Sequence, residues 1–292
     1  MFYQARLFFY PNKNAPPVKN KKLLLQNINH STFMLSLLFN LIRWLTAMAM
    51  AAGVLSGLGL ASLFLIRKTQ PNKWANWLFS ALLVTMSLTL LDKFLNFTEL
   101  TKRHPSVSVL PIYLSFAFGP LLFYYVKSRL YRHFDMTRSD FKHFILPTVQ
   151  IALLLMMTFR DAASKAAFRA EFFSPFYGNF EKGVFIMQFF LYLYFSYRFI
   201  LHLRLALMQK RKSLLSGRRH VLVVGWLKRM VKVLFMLFGI HASLILTDYF
   251  SYRLFDLNLQ SKLLFSVAYE LSFTAMVGWL CLNAFFALQR RL

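Results

Sequence analysis

The chain has 292 residues, 58% of them hydrophobic, 18% aromatic and only 15% charged, with a formal net charge of +25. A water-soluble domain is roughly 45–50% apolar and about 25% charged, so the excess apolar surface is expected to face lipid. The basic charge does not describe a nucleic-acid-binding face, because Lys and Arg sit mostly in loops between apolar stretches, where they set orientation and meet anionic head groups.

Residues 1–33 are polar and basic, with Pro11, Pro16 and Pro17 and the run Lys19, Lys21, Lys22. They read as a disordered extension. No small-residue cleavage site follows the next apolar run, so they do not read as a signal peptide. Met34 is a more natural start for a membrane protein, which makes residues 1–33 a candidate mis-assigned extension ahead of a domain over residues 34–292.

About 20 apolar residues span a bilayer core of roughly 30 Å as a helix, and seven stretches approach or exceed that length. They are about Trp44–Ile66, Trp74–Leu91, Leu110–Tyr125, Phe144–Phe159, Gly183–Leu207, Met230–Phe250 and Leu263–Leu288. No strand pattern or repeat intervenes, and the loops near residues 160–182 and 208–229 have room for a short helix at most. The expected fold is therefore an all-α polytopic bundle of seven transmembrane helices. Gly53 and Gly57 in the first span form a G-x-x-x-G pair that allows close helix approach, either within the bundle or in a homodimer. The single cysteine, Cys281, lies inside the last span and reads as a small buried hydrophobe.

Lys and Arg favour one face of this layout. Arg67, Lys68 and Lys73 follow span one; Lys127, Arg129, Arg132, Arg138 and Lys142 follow span three. A dense group from Arg204 to Lys232 follows span five, and Arg290 and Arg291 follow span seven. The positive-inside rule then puts the amino terminus outside and the carboxyl terminus in the cytoplasm. Only residues 1–33 weigh against it.

Ionisable residues within spans are costly and often functional. His241 and Asp248 are one face of span six, Glu270 lies in the outer half of span seven, and Asp92 closes span two at the same surface. These four are the candidate lining of an outward-facing polar pocket for a cationic or hydrogen-bonding ligand, with His241 as a proton sensor. The alternative is interhelical hydrogen bonding that fixes the bundle. On span five, Arg204 is expected to reach the head groups, whereas Arg198 is deep enough to face the bundle. Gly119 and Pro120 are expected to kink span three, and Pro147 sits at a helix start, where proline is tolerated. Span seven lacks an internal Lys for a retinal Schiff base, Lys262 lying at its edge. No metal-ligand spacing, phosphate-cradling loop or catalytic set is found. No cofactor and no enzymatic activity are expected.

Four patterns occur in order: Asn72-Lys73-Trp74-Ala75-Asn76-Trp77-Leu78-Phe79; Gly119-Pro120-Leu121-Leu122-Phe123-Tyr124-Tyr125; His143-Phe144-Ile145-Leu146-Pro147; and Trp226-Leu227-Lys228. Together they resemble the seven-helix membrane region of membrane-bound AraC-type transcriptional regulators, over about residues 34–290. The resemblance implies a sensory module of the bacterial inner membrane, followed in that family by a cytoplasmic linker and a helix-turn-helix DNA-binding domain. The sequence reaches Leu292 without such a motif. The expectation is an input module that does not itself bind nucleic acid. It would work with a DNA-binding protein in trans, or be cut off from a lost carboxyl-terminal domain. The alternative is a free-standing membrane transporter or enzyme.

Overall fold

The computed structural model describes residues 18–66, 73–104, 111–131, 134–168, 178–210 and 218–289; the regular elements among them are all helices, joined by short turns, with no strand among the described residues. The chain divides into two compact units, residues 1–44 and 45–292. The first is described as helix from Val18 onward; the second is a helical bundle. Residues 18–33 thus differ from the expected disordered extension. After Pro17 no proline interrupts the chain, and Lys, Leu and Gln, all good helix formers, follow.

Helix α1 (Val18–Ile66) leads to α2 (Lys73–Phe97), the short α3 (Leu100–Arg103) and α4 (Phe118–Leu130). Then come α5 (Ile145–Thr158), α6 (Ala162–Phe168), α7 (Gly178–Lys210), α8 (Arg218–Phe255) and α9 (Leu263–Gln289). Six helical segments among the described residues are long and apolar enough to cross a membrane: Ser36–Ile66, Lys73–Phe97, Arg138–Thr158, Phe180–Leu203, Val221–Phe255 and Leu263–Gln289. The chain is a multi-pass membrane protein. The sequence expectation over Leu110–Tyr125 meets a shorter element. Residues 105–110 lie outside the described residues, Ser115–Ala117 form a turn of 3-10 helix, and α4 follows with 13 residues. At 1.5 Å per residue α4 covers about 20 Å, less than the bilayer core.

Its brevity goes with its position. Phe118, Gly119, Pro120, Leu121, Leu122, Tyr124, Tyr125, Val126, Ser128 and Leu130 are all buried, and α4 packs against α2, α7 and α8, with α9 beside α2 and α8. A helix wrapped by protein does not need to match the lipid thickness, because its ends and side chains are satisfied by neighbours. Pro120 falls in the first turn of α4, directly after the 3-10 segment. It therefore starts the helix, where its missing N–H costs nothing, and does not kink a longer one. Pro147 sits likewise in the first turn of α5.

Two glycines set the closest helix approaches. A Cβ on Gly57 would collide with Ser87 Oγ on α2, and one on Gly119 would lie 3.0 Å from Cγ and 3.1 Å from Cβ of Tyr192 on α7. Ser80 Oγ donates to Ala61 O at 2.7 Å and Phe64 meets Phe79 edge-on at 5.2 Å, fastening α1 to α2. The G-x-x-x-G pair is thus engaged inside the bundle.

Helix α5 is the most lipid-facing: Ile145, Val149, Leu155 and Met156 are exposed, and only Pro147, Gln150 and Leu154 are buried. Arg198 also faces outward, donating to Tyr194 Oη at 3.2 Å. The buried face of α7 runs through Leu193, Ser196 and Ile200, and Arg198 falls on the other side of the turn. The Arg204 side chain lies outside the described ones. Between α5 and α7, α6 is the short helix the loop had room for; Ser164 Oγ and N donate to Asp161, and these bonds hold that exposed carboxyl below its usual range.

Gly119→Ala is expected to destabilise the bundle by about 1–3 kcal/mol, since the Tyr192 ring must move. Gly59→Ala, where a Cβ meets nothing within 4 Å, is expected to be neutral. Thermal unfolding of the two variants in detergent checks the contrast.

Candidate functional site

Helices α2, α7 and α9 and the chain leading into α4 converge on a polar cavity of about 620 Å³, open at one end of the bundle. That volume suits a small organic ligand. Its walls include Asp92, Lys93, Tyr113, Lys182, Tyr269 and Glu270. Asn96 and Thr101 complete one rim: Asn96 donates to Asp92 Oδ2 at 3.2 Å and accepts from Thr101 Oγ1 at 2.9 Å. Glu99, with φ 60°, turns the chain from α2 into α3 and brings Thr101 there.

Lys93 is the central charge. Its Nζ lies 3.6 Å from Glu270 Oε2 and 4.2 Å from the centre of the Tyr269 ring, and the two ionic side chains are 11% and 13% exposed. The carboxylate and the ring face together compensate an ammonium largely removed from water. Glu270 Oε2 is nevertheless buried without a hydrogen-bond donor. At 3.6 Å its contact with Lys93 is Coulombic and beyond ordinary hydrogen-bond length.

A narrow extension of about 10 Å³, room for about one water, leads inward past Ser115, Phe118 and His241 and shares Lys93, Tyr113, Lys182 and Tyr269 with the main cavity. Beside it lies a closed polar network. Ser115 Oγ donates to Glu181 Oε1 at 2.8 Å. The Gln150 amide donates to Glu181 Oε1 at 2.6 Å and to Ser115 Oγ at 3.0 Å, and its oxygen accepts from Phe116 N at 3.2 Å. Gln188 donates to Phe116 O at 3.1 Å, and Leu114 N donates to Thr89 Oγ1 at 3.1 Å. The irregular backbone before α4 is thereby satisfied by side chains from α2, α5 and α7, as buried polar groups require. Gln150 is also what ties the lipid-facing α5 to the bundle.

Beneath the network the interior turns aromatic. Phe118, Phe185, Phe189, Phe238 and Phe273 form a layer with ring centres 4.7–6.1 Å apart. At the far end of α4, Tyr124 Oη donates to Asp140 Oδ1 at 3.0 Å, Lys127 reaches the same oxygen at 3.5 Å, and Asp140 closes a capping box with Thr137. Next to it His143 Nδ1 and Tyr192 Oη are 2.7 Å apart.

Of the four residues proposed from sequence, Asp92 and Glu270 line the cavity together. His241 lines the inner extension, buried, with Nδ1 2.7 Å from Ser272 Oγ. Asp248 does not join them. It accepts from Gln260 at 2.8 Å, half-buried, where α8 approaches the turn into α9. Lys93, Lys182, Glu181 and Gln150 were missed. Lys93 and Glu181 lie just beyond the apolar runs, yet each continues a buried helical stripe: Phe79, Leu83, Met86, Leu90 before Lys93, and Phe185, Phe189, Leu193 after Glu181. That 3–4 spacing was legible in the sequence. Among the described residues no group of three or more His, Cys, Asp or Glu could hold a metal ion.

No protein-family model, curated protein or solved structure matches this chain.

Lys93→Met strips the buried Glu270 of its counter-charge and is expected to cost about 3 kcal/mol or more, whereas Lys93→Met with Glu270→Leu recovers most of the loss. Melting temperatures of the wild type, the two single variants and the double variant give the coupling. Gln150→Leu leaves Phe116 N–H and Glu181 short of a partner, at an expected cost of about 1–3 kcal/mol. Faster hydrogen exchange concentrated in α5 would identify the loss as undocking of that helix.

Proposed function

We propose that this chain is the membrane-embedded receptor half of an AraC-type regulatory system of a bacterial inner membrane. It takes a small polar solute into the open cavity and passes the signal to a DNA-binding protein in trans or to a carboxyl-terminal domain. The bundle in this reading crosses seven times, the protein-wrapped α4 being the seventh crossing. The amino terminus and the cavity are outside, and the carboxyl terminus is in the cytoplasm.

One observation carries the reading: the cavity is polar, open at the end of the bundle away from the densest Lys and Arg loops, and dead-ended on the aromatic layer. The Phe layer under Glu181 and His241 closes the cavity on its inner side, as a receptor requires; an alternating-access transporter shows the same closure in one of its states, and solute flux in reconstituted vesicles separates the two. Helix α4 is the element suited to carry a signal. Its first turn rests on the Ser115–Gln150–Glu181 network, and its last turn holds the Tyr124–Asp140–Lys127 cluster. Occupancy of the cavity would favour one packing of α4 over another, a shift in population that requires different ligand affinity in the two states.

The orientation decides the reading. In a Cys281→Ser background, Gln260→Cys at the mouth is expected to react with a membrane-impermeant maleimide on intact cells stripped of their outer membrane. Lys142→Cys is expected to react only after permeabilisation. The reverse pattern would put the cavity in the cytoplasm and overturn an extracytoplasmic receptor.

A further inference from the structure

We infer that the cavity recognises a small zwitterion, a free α-amino acid or a molecule with the same ammonium and carboxylate pair. The inference rests on the receptor reading for its purpose but on the cavity alone for its chemistry.

The ionic walls of the cavity are two carboxylates, Asp92 and Glu270, and two ammonium groups, Lys93 and Lys182. A lining of balanced charge accepts a neutral zwitterion without leaving net charge in a region of low dielectric. A lone anion or cation would unbalance it. The charges are also unequally used. Asp92 is engaged by Asn96, and Lys93 is held by Glu270 and the Tyr269 face. Two groups keep hydrogen-bonding capacity. Glu270 Oε2 is ion-paired with Lys93 at 3.6 Å but is buried and accepts no hydrogen bond. Lys182 lines both the main cavity and its inner extension; the Glu181 carboxylate is a neighbouring charge, and no salt bridge or hydrogen bond of Lys182 is found among the described residues.

An unsatisfied buried carboxylate oxygen is costly by itself, and a ligand N–H donor would satisfy it with a charge-assisted bond. A ligand ammonium set against Glu270 would leave its carboxylate facing the cavity's two ammonium groups, Lys93 beside Glu270 and Lys182 on the same lining. Tyr269 and Tyr113 supply aromatic wall beside the charges, and Tyr269 already carries one cation on its face.

The experiment is thermal unfolding of the full chain in lipid nanodiscs with each of the twenty L-amino acids. Each is compared with its matched 2-oxo acid, which lacks the ammonium, and its matched primary amine, which lacks the carboxylate. Glucose, uridine and succinate serve as polar solutes of other classes. At least one amino acid is expected to raise the melting temperature by about 5 °C at saturation, with neither partial analogue doing so. Glu270→Gln and Lys182→Gln should each weaken that amino acid at least about tenfold. Glu270→Gln is isosteric, Lys182→Gln removes the charge and shortens the side chain, and their own melting temperatures report whether they fold. Equal shifts from the 2-oxo acid or the amine, a response only to glucose, uridine or succinate, or no response at all would overturn the zwitterion inference. A response to glucose, uridine or succinate would still leave the receptor reading standing. Conversely, an amino-acid shift with the mouth labelled only after permeabilisation would keep the inference and sink the receptor reading.

Discussion

The burial of α4 on every side is the constraint on which the rest of the bundle depends. A 13-residue helix cannot hold its polar backbone ends in hydrocarbon, so both ends must be met by other parts of the chain. At its start, Gln150, Gln188 and Thr89 hydrogen-bond the irregular backbone. At its finish, Lys127 and Tyr124 draw in Asp140 and the segment that leads to α5. Gly119 then lets α7 close on α4, and Tyr192 from α7 reaches His143.

The cavity follows from the same shortness. Because α4 begins only at Phe118, the longer α2, α7 and α9 continue past it, and among the described residues no α-helix lies between them. The space they leave is lined by whatever those helices carry at that height: Lys93, Lys182, Tyr269 and Glu270. Charged side chains are tolerated there because they pair across the gap and have access to water, whereas one turn deeper the same faces carry Phe185, Phe189 and Phe273. The lining thus changes from ionic to aromatic over a short depth.

The four motifs read from the sequence have structural roles here. Gly119 and Pro120 start α4 against α7. His143 is bonded to Tyr192, and Trp74 and Trp77 are exposed near the start of α2. A signalling role therefore draws its support from the cavity and from the two polar clusters that α4 joins.

Composition and apolar run length determined that the chain is helical and membrane-embedded, because a backbone in lipid is satisfied only in helices or a closed barrel, and apolar runs of about 20 residues without strand alternation fit helices. They also pointed to Asp92 and Glu270, since carboxylates at the edge of apolar runs are rare enough to stand out. Only the tertiary structure decided that the Leu110–Tyr125 stretch holds a short enclosed helix, because hydropathy records how apolar a segment is and not whether lipid or protein surrounds it. The same holds for Lys93 and Glu181: a charged residue beside an apolar run reads as a loop until the helix is seen to continue through it and a partner on another helix compensates the charge. The pairings Lys93–Glu270 and Ser115–Glu181 join residues far apart in the chain, and their neighbourhood exists only once the helices have packed.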